Sequence, residues 1–296
     1  MKLGLVGHPV GHSRSPALHR AALHAAGLRG TYELFDHPPG TPVTDTFERL
    51  RDAGFSGFNV TVPFKLDALR WVSALSPAAE RAGAVNTVVL GAGGSVGHNT
   101  DVDAVVESAA ALCSSDGAPC GAPPAPRAVV CLGTGGAARA VVAGFAALGV
   151  PVVVRGRDAS AAARLQSELG AATGSRDLAP ELVINATTLG NGGSAVTAGA
   201  FDALAGELVG VRFALDLVYA APPAPEQAHR GVTRAETAFV TWARHQGLVA
   251  RDGLHMLVCQ AAHAFELWTG VPRKASVIAM GAECGLTELA AGRRLE

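Results

Sequence analysis

The chain has 296 residues, 49% of them hydrophobic and 17% charged, with a formal net charge of −1. That length suits one large or two ordinary domains with ample core, and the near-neutral charge offers neither a basic face for a nucleic acid nor a polybasic run for a membrane surface. Five cysteines (Cys113, Cys120, Cys131, Cys259, Cys284) are odd in number and form no Cys-x-x-Cys pair, which argues against a disulfide framework and a zinc site and for a reduced, soluble, cytoplasmic protein.

The start, Met1 to Gly7, carries one positive charge and a short apolar run. It reads as a first core strand, too short for a signal-peptide core. The longest strongly apolar span, 140–154, is broken by Gly144, Gly149 and Pro151 and so does not read as membrane-spanning. After the first strand, Ser15 before Pro16 predicts a helix start, a hydroxyl N-cap followed by proline at the first helical position. Ser13 has no structural duty in that reading. Two hydroxyls at a helix N-terminus suit an anionic or polyhydroxylated ligand.

A strand at 31–35 and a helix at 44–53 lead to Asn59-Val60-Thr61-Val62-Pro63-Phe64-Lys65. This stretch predicts a strand from Gly57 to Val62, a turn at Pro63 and a helix from Lys65 to Leu75. Alternation puts Asn59 and Thr61 on one face. Lys65 is either a solvated helix start, against the helix dipole, or a site residue. A short helix at 77–82 follows, then a strand from Ala84 to Leu90 containing Asn86, a glycine-rich turn and a return strand at 95–98, together a hairpin. Asp101 opens the next helix, through Val105, Ala109 and Leu112, as its N-cap or as a functional carboxylate. The histidines show no metal-ligand spacing, and no metal is expected.

Residues 113–127, with four prolines, read as a flexible linker-like loop. The pattern restarts with a buried strand at 128–132, then Gly133-Thr134-Gly135-Gly136-Ala137-Ala138 and a helix from Ala137 to Leu148. Strand, Gly-x-Gly-x-x-Ala and helix in that order is the dinucleotide fingerprint in its proper context. The following strand, 152–154, ends in Arg155-Gly156-Arg157-Asp158. An acid there accepts from the ribose 2′-hydroxyl of NAD, whereas an arginine pairs with the 2′-phosphate of NADP. Asp158 could also cap the helix near Ser160, leaving Arg157 to decide for NADP. Strands at 182–185 and 213–217 complete a doubly wound unit. The stretch 220–236 is an irregular, proline-rich excursion, and a helix through Phe239 and Trp242 follows. A long helix then runs from about Asp252 to Trp268, in which Gln260 is a polar residue on an apolar face, a satisfied amide or a ligand contact. Alternating strands and helices throughout make the fold class α/β.

Gly11-His12-Ser13-Arg14-Ser15-Pro16, the 59–65 stretch, Ala84-Val85-Asn86-Thr87, Asn99-Thr100-Asp101, the glycine loop, Asn185-Ala186-Thr187 and Asp252-Gly253-Leu254 with Gln260 stand in the order seen in shikimate dehydrogenases. The chain resembles that family from Lys2 to Gly270. The resemblance implies two domains, a mostly parallel α/β substrate domain (1–103 plus 252–296) and a Rossmann-type doubly wound domain (104–251). It implies NADP-dependent reduction of 3-dehydroshikimate to shikimate in aromatic amino-acid biosynthesis. Lys65 and Asp101 would be the catalytic pair, and Ser13, Ser15, Thr61, Asn86, Tyr219 and Gln260 would hold the substrate. Gly133, Thr134, Gly135, Gly136, Ala137, Arg157, Asp158, Thr187, Leu217 and Gly253 would bind the cofactor, with NAD kept open by Asp158. The protein would act as a monomer or a homodimer.

The sequence departs from the family pattern in four places. Gly156 and Asp158 flank the arginine where the family has Asn-Arg-Thr. His255 replaces a glycine, Val102 replaces a frequent glycine after Asn-Thr-Asp, and the excursion after Tyr219 is long. A sister activity, an NAD(P)-dependent quinate or aminoshikimate dehydrogenase, is the alternative. A non-catalytic dinucleotide-binding regulator is the rival from another class, and retention of both Lys65 and Asp101 argues against it.

Overall fold

The computed structural model describes residues 1–38, 40–114, 126–170, 179–189, 201–202, 208–220 and 236–291. The chain divides into two compact units, Met1–Ala104 with His255–Glu296 and Val105–Leu254. The linker-like loop at 115–125 and the excursion at 221–235 lie outside the described residues.

The first unit begins β1 (Lys2–Gly7), α1 (Ser15–Ala25), β2 (Thr31–Asp36), α2 (Thr44–Asp52), β3 (Gly57–Val60), α3 (Lys65–Trp71), β4 (Ala74–Leu75), α4 (Pro77–Ala82), β5 (Thr87–Gly91) and β6 (Gly94–His98). Its sheet runs β2-β1-β3-β5-β6-β4. β1 pairs in parallel with β2 and β3, whereas β5 is antiparallel to both β3 and β6. Period-two alternation sends Leu3 and Leu5 of β1 to one face, against Tyr32, Ala264 and Trp268, and Val6 to the other, among Phe47, Phe58 and Phe64. Both faces of the sheet are therefore covered, as an α/β layer architecture requires.

Several boundaries differ from the sequence expectation. β3 stops at Val60, not Val62. α3 ends at Trp71, not Leu75, because Val72 turns extended (ψ 149°) and residues 74–75 become the edge strand β4. Ser73 N–H is then taken by the Ser95 carbonyl at 2.9 Å, so pairing beside β6 overrides helix propensity. β5 starts at Thr87 instead of Ala84.

The second unit holds β7 (Val129–Leu132), α6 (Gly136–Ala147), β8 (Val152–Arg155), α7 (Ala159–Glu168), β9 (Leu182–Asn185), β10 (Phe213–Asp216), α8 (Ala238–His245) and β11 (Val249–Arg251). Helix α5 (Asp101–Cys113) leads into it and α9 (Leu254–Thr269) leads out, followed by α10 (Arg273–Glu283) and α11 (Thr287–Ala290). β11, α10 and α11 were not individually expected. All strand pairs are parallel, in the order β11-β10-β9-β7-β8. The chain leaves β7 to one side for β8 and then returns to the other side for β9. That reversal is a topological switch point, where open α/β sheets form a ligand crevice at the carboxyl ends of the strands.

Candidate active site

Lys65 opens α3 and Asp101 opens α5, and they meet. Lys65 Nζ donates to Asp101 Oδ2 at 2.6 Å, with the two side chains only 12% and 9% exposed. A helix N-terminus disfavours the lysine charge, and the carboxylate offsets that penalty with a charge-assisted bond largely screened from water. Asp101 is no cap for α5. Its own N–H is accepted by Asn99 Oδ1 at 3.2 Å, so the carboxylate serves Lys65 instead.

Asn86 is buried and bonded into the strand ends that carry this pair. Its Oδ1 accepts from Thr100 N at 2.8 Å and from Thr87 Oγ1 at 2.9 Å, while Nδ2 donates to Thr100 Oγ1 at 3.0 Å. Asn59 supports it: Nδ2 donates to the Asn86 carbonyl at 3.2 Å and to Thr87 Oγ1 at 2.9 Å, and Oδ1 accepts from Tyr32 Oη at 2.7 Å. The main chain adds Val85 N to Lys65 O at 3.1 Å and Asn86 N to His98 O at 3.0 Å. A buried polar network of this kind, with every described member satisfied, fixes a single arrangement. Tyr32, Thr87 and Thr100 were missed from sequence. The signal was present in Asn59, set between Phe58 and Val60, and in the polar run His98-Asn99-Thr100-Asp101.

The serines exchange roles relative to the sequence reading. Arg14 occupies the N-cap position of α1 and makes no side-chain cap bond. It is Ser13 that has the structural bond, its Oγ accepting from Ser15 N at 3.2 Å. The Ser15 hydroxyl has no hydrogen-bond partner among the described residues, although the residue is buried. Thr61 is held between β1 and the turn, its N–H donating to Val6 O and its carbonyl accepting from Phe64 N, both at 2.9 Å. Gln260 donates from Nε2 to Leu257 O at 2.9 Å within α9. Among the described residues no hydrogen bond joins Ser13, Ser15, Thr61 or Gln260 to the Lys65–Asp101 pair. Tyr219 belongs to the other unit.

In the second unit the glycine loop sits at the switch point. Gly133 adopts φ +118°, and a Cβ there would press on the Ala186 carbonyl at 2.9 Å, so only glycine lets the β7 and β9 loops lie together. Gly135 faces open space. It opens α6 with no side-chain cap, which leaves the first amides of a 12-residue helix available to an anion. Thr134, Gly136 and Ala137 share that turn. These features fit a dinucleotide pyrophosphate.

After β8, Asp158 caps α7: its Oδ1 accepts from Ser160 N at 2.8 Å and Ala161 N at 3.1 Å. Arg164 lies 3.8 Å from its other oxygen. The carboxylate is thus occupied within the loop, and the exposed Arg157 beside it fits a 2′-phosphate. Gly156 stands where a Cβ would meet Thr134 Cγ2 at 2.9 Å, which accounts for one changed flank. Thr187 donates from N and Oγ1 to Asn185 Oδ1 at 3.2 and 2.7 Å, and Leu217 N reaches Asn185 O at 2.9 Å. Gly253 N donates to Val218 O at 2.9 Å, with the Leu217 carbonyl 2.5 Å from where a Cβ would stand.

Comparison with known proteins agrees with this geometry. Residues 5–88 match the model of the shikimate dehydrogenase substrate binding domain, and residues 253–277 match that of the shikimate 5′-dehydrogenase C-terminal domain. A shikimate dehydrogenase (NADP(+)) of Methylobacterium radiotolerans is 38% identical over 279 residues, covering 90% of each chain. The chain belongs to the shikimate dehydrogenase family. The enzyme of the same name from Haloarcula marismortui is 37% identical, with 90% of this chain and 92% of that one covered. Among solved structures, shikimate 5-dehydrogenase of Thermus thermophilus in complex with NADP(H) and shikimate superposes with a TM-score of 0.72 at 33% identity, over 96% of this chain and 99% of that one. The family model of the substrate domain spans Ser13, Ser15, Thr61, Lys65 and Asn86, and the C-terminal model spans Gly253 and Gln260. Among the described residues, no helix is long and apolar enough to cross a membrane and no cluster of His, Cys, Asp or Glu could hold a metal ion.

Proposed function

We propose that this protein is a shikimate dehydrogenase, reducing 3-dehydroshikimate reversibly to shikimate with NADPH. One observation carries the reading: a buried lysine–carboxylate pair, 2.6 Å apart, held beside a fixed asparagine in a family whose members bear this name. Bound NADPH supplies the hydride. Lys65 Nζ stabilises the developing alkoxide and delivers the proton to its oxygen. Asp101 Oδ2 holds the ammonium in its reacting position. Ser13, Ser15, Thr61, Asn86, Gln260 and Tyr219 bind the hydroxyls and carboxylate of the substrate. The 133–137 turn takes the pyrophosphate, Arg157 takes the 2′-phosphate, and Thr187, Leu217 and Gly253 complete the cofactor side. In this assignment the first unit carries the substrate residues other than Tyr219, and the second carries the dinucleotide residues.

The cytoplasm suits this reading, because the four described cysteines are buried thiols and burial pushes the Cys131 thiol up to about 12, as a reducing compartment permits. Lys65 and Asp101 come from one chain, so a monomer carries the pair as well as a homodimer does. A nicotinamide absorbance assay tests the function. Shikimate with NADP⁺ is expected to give the highest kcat/KM in a panel that includes quinate and NAD⁺. A preference for quinate or NAD⁺ assigns the sister activity, and no turnover with any pair leaves a dinucleotide-binding regulator.

A further inference from the structure

The carboxylate of Asp216 is a buried group that the reaction does not use, and it ties together loops at the carboxyl ends of the strands of the second sheet. It ends β10 and is 1% exposed. Oδ1 accepts from Asn185 Nδ2 at 2.9 Å, at the end of β9, and from Val218 N at 3.0 Å, in the loop after β10. Oδ2 accepts from Thr237 Oγ1 at 2.6 Å, and that threonine is itself the N-cap of α8, accepting from Val240 N. Each of these partners has a second attachment. Asn185 Oδ1 holds Thr187 by two bonds. Val218 O holds Gly253 N, and Asp252 Oδ1 accepts from Leu254 N at 3.2 Å to shape the same turn after β11.

We infer that Asp216 is a positioning residue for the cofactor side of the site, fixing through Asn185 and Val218 the loops that carry Thr187, Leu217 and Gly253. The inference rests on the NADP-dependent reading for the role of those loops. Burial is expensive for this group: desolvation, with Asp252 adding repulsion, pushes its carboxyl up to about 7 although the bonds from Thr237, Val218 and Asn185 oppose the shift. A fold that needed only packing there would be better served by a neutral side chain. An acceptor on both oxygens is what the three converging donors require.

The test compares Asp216→Asn, which keeps an acceptor for Asn185 and Val218, with Asp216→Ala, which keeps none. Three properties are measured on the full-length protein: NADP⁺ affinity by fluorescence titration without substrate, kcat and KM for shikimate, and amide hydrogen exchange of the ligand-free chain. Asp216→Ala is expected to weaken NADP⁺ binding by about tenfold, the scale of one lost buried hydrogen bond, and to lower kcat by up to ~10²-fold, as loop misplacement does. KM for shikimate stays within a factor of about two, well below the tenfold that 1.4 kcal/mol would give. Asp216→Asn recovers most of the loss. In the exchange experiment, protection falls at Thr187, Val218 and Gly253 while the amides of β7 and β9 keep theirs. Wild-type NADP⁺ affinity, kcat and loop protection in the folded alanine variant, with only the thermal midpoint lowered, would overturn the inference, as would an asparagine variant that recovers none of the loss. If the wild-type protein itself fails to turn over shikimate, the functional reading falls. The exchange pattern then still decides whether Asp216 fixes these loops, and unchanged loop protection rejects it.

Discussion

In the proposed reaction, Lys65 and Asp101 divide between them two tasks that one residue does poorly. An ammonium alone at the start of α3 would be solvated and mobile, and the helix dipole would oppose it. The carboxylate at 2.6 Å fixes its direction, and 12% exposure keeps water largely away. Removing the cation therefore removes both electrostatic stabilisation and the proton source. Lys65→Ala is expected to lower kcat by about 10²–10⁴, the usual scale for a general acid–base, with little change in KM for shikimate. Near-normal turnover in that variant would take Lys65 out of the chemistry. Much of this candidate site was legible in the sequence, because polar residues within the apolar 57–64 stretch, with Lys65 after it, and a polar run ending in Asp101 at a helix start both stand out. Their bonding was not. Sequence left Asp101 as a helix cap or a site carboxylate, and its bond from Lys65 is set by where the hairpin β5–β6 delivers the start of α5.

At the scale of elements, the helix ends decide cofactor chemistry. α6 starts at an uncapped glycine, whereas α7 starts at an aspartate whose side chain caps it. The same kind of feature, a helix N-terminus after a parallel strand, thus has free first amides in one case and a side-chain cap in the other. Sequence offered Asp158 both as a ribose acceptor and as a cap, and the two amide bonds to its Oδ1 select the cap. The expected consequence is a stability effect without a cofactor effect. Asp158→Ala should cost about 1 kcal/mol, as loss of an aspartate N-cap does, read as a lower midpoint in urea. The ratio of NADP⁺ to NAD⁺ affinities should stay unchanged. A large swing of that ratio would return Asp158 to the ribose. Helix α3 carries the complementary lesson. Its period-3.6 apolar pattern continues past Trp71, and only the pairing of Ser73 with Ser95 ends it.

For the whole molecule, two buried titratable groups, one in each unit, oppose one another in their pH dependence. His19 is fully buried, stacked on Tyr32 at 4.3 Å between ring centroids, and neither ring nitrogen has a partner among the described residues. Burial holds its pKa down to about 3. The unfolded chain takes up the proton first, so this group's contribution is present above about 6.5 and is lost as pH falls towards 3. Asp216 behaves in the opposite sense: its carboxyl is pushed up to about 7, so the folded state holds the proton longer. Its contribution is present below the ordinary carboxylate value, near 3.9, and is lost as pH rises to about 7. Replacing His19 with Phe keeps the aromatic stack and removes the titration. The stability gained by His19→Phe should therefore grow as pH is lowered from 6.5, at up to ~1.4 kcal/mol per pH unit. Chemical denaturation of variant and wild type at several pH values reads this difference. A difference that does not vary with pH would mean that His19 is solvated or paired in the folded protein.

The amino-acid sequence by itself determined the alternation of strands and helices, the glycine turn after β7, and which residues are candidates for the chemistry. These are local properties: hydrophobic period, turn chemistry and residue type act over a few positions. Tertiary structure alone decided which polar groups meet. Asn59 reaches Asn86 and Thr87 because β3 and β5 lie side by side in antiparallel register, with Asn59 opposite Thr87. Asn185 reaches Asp216 because β9 and β10 end at the same level in a parallel pair, opposite each other. Strand pairing across dozens of residues sets those contacts. Because a buried hydrogen bond is worth little unless its partner is in place, they decide that Asp101 meets Lys65 and that Asp216 meets the end of β9 and the start of α8.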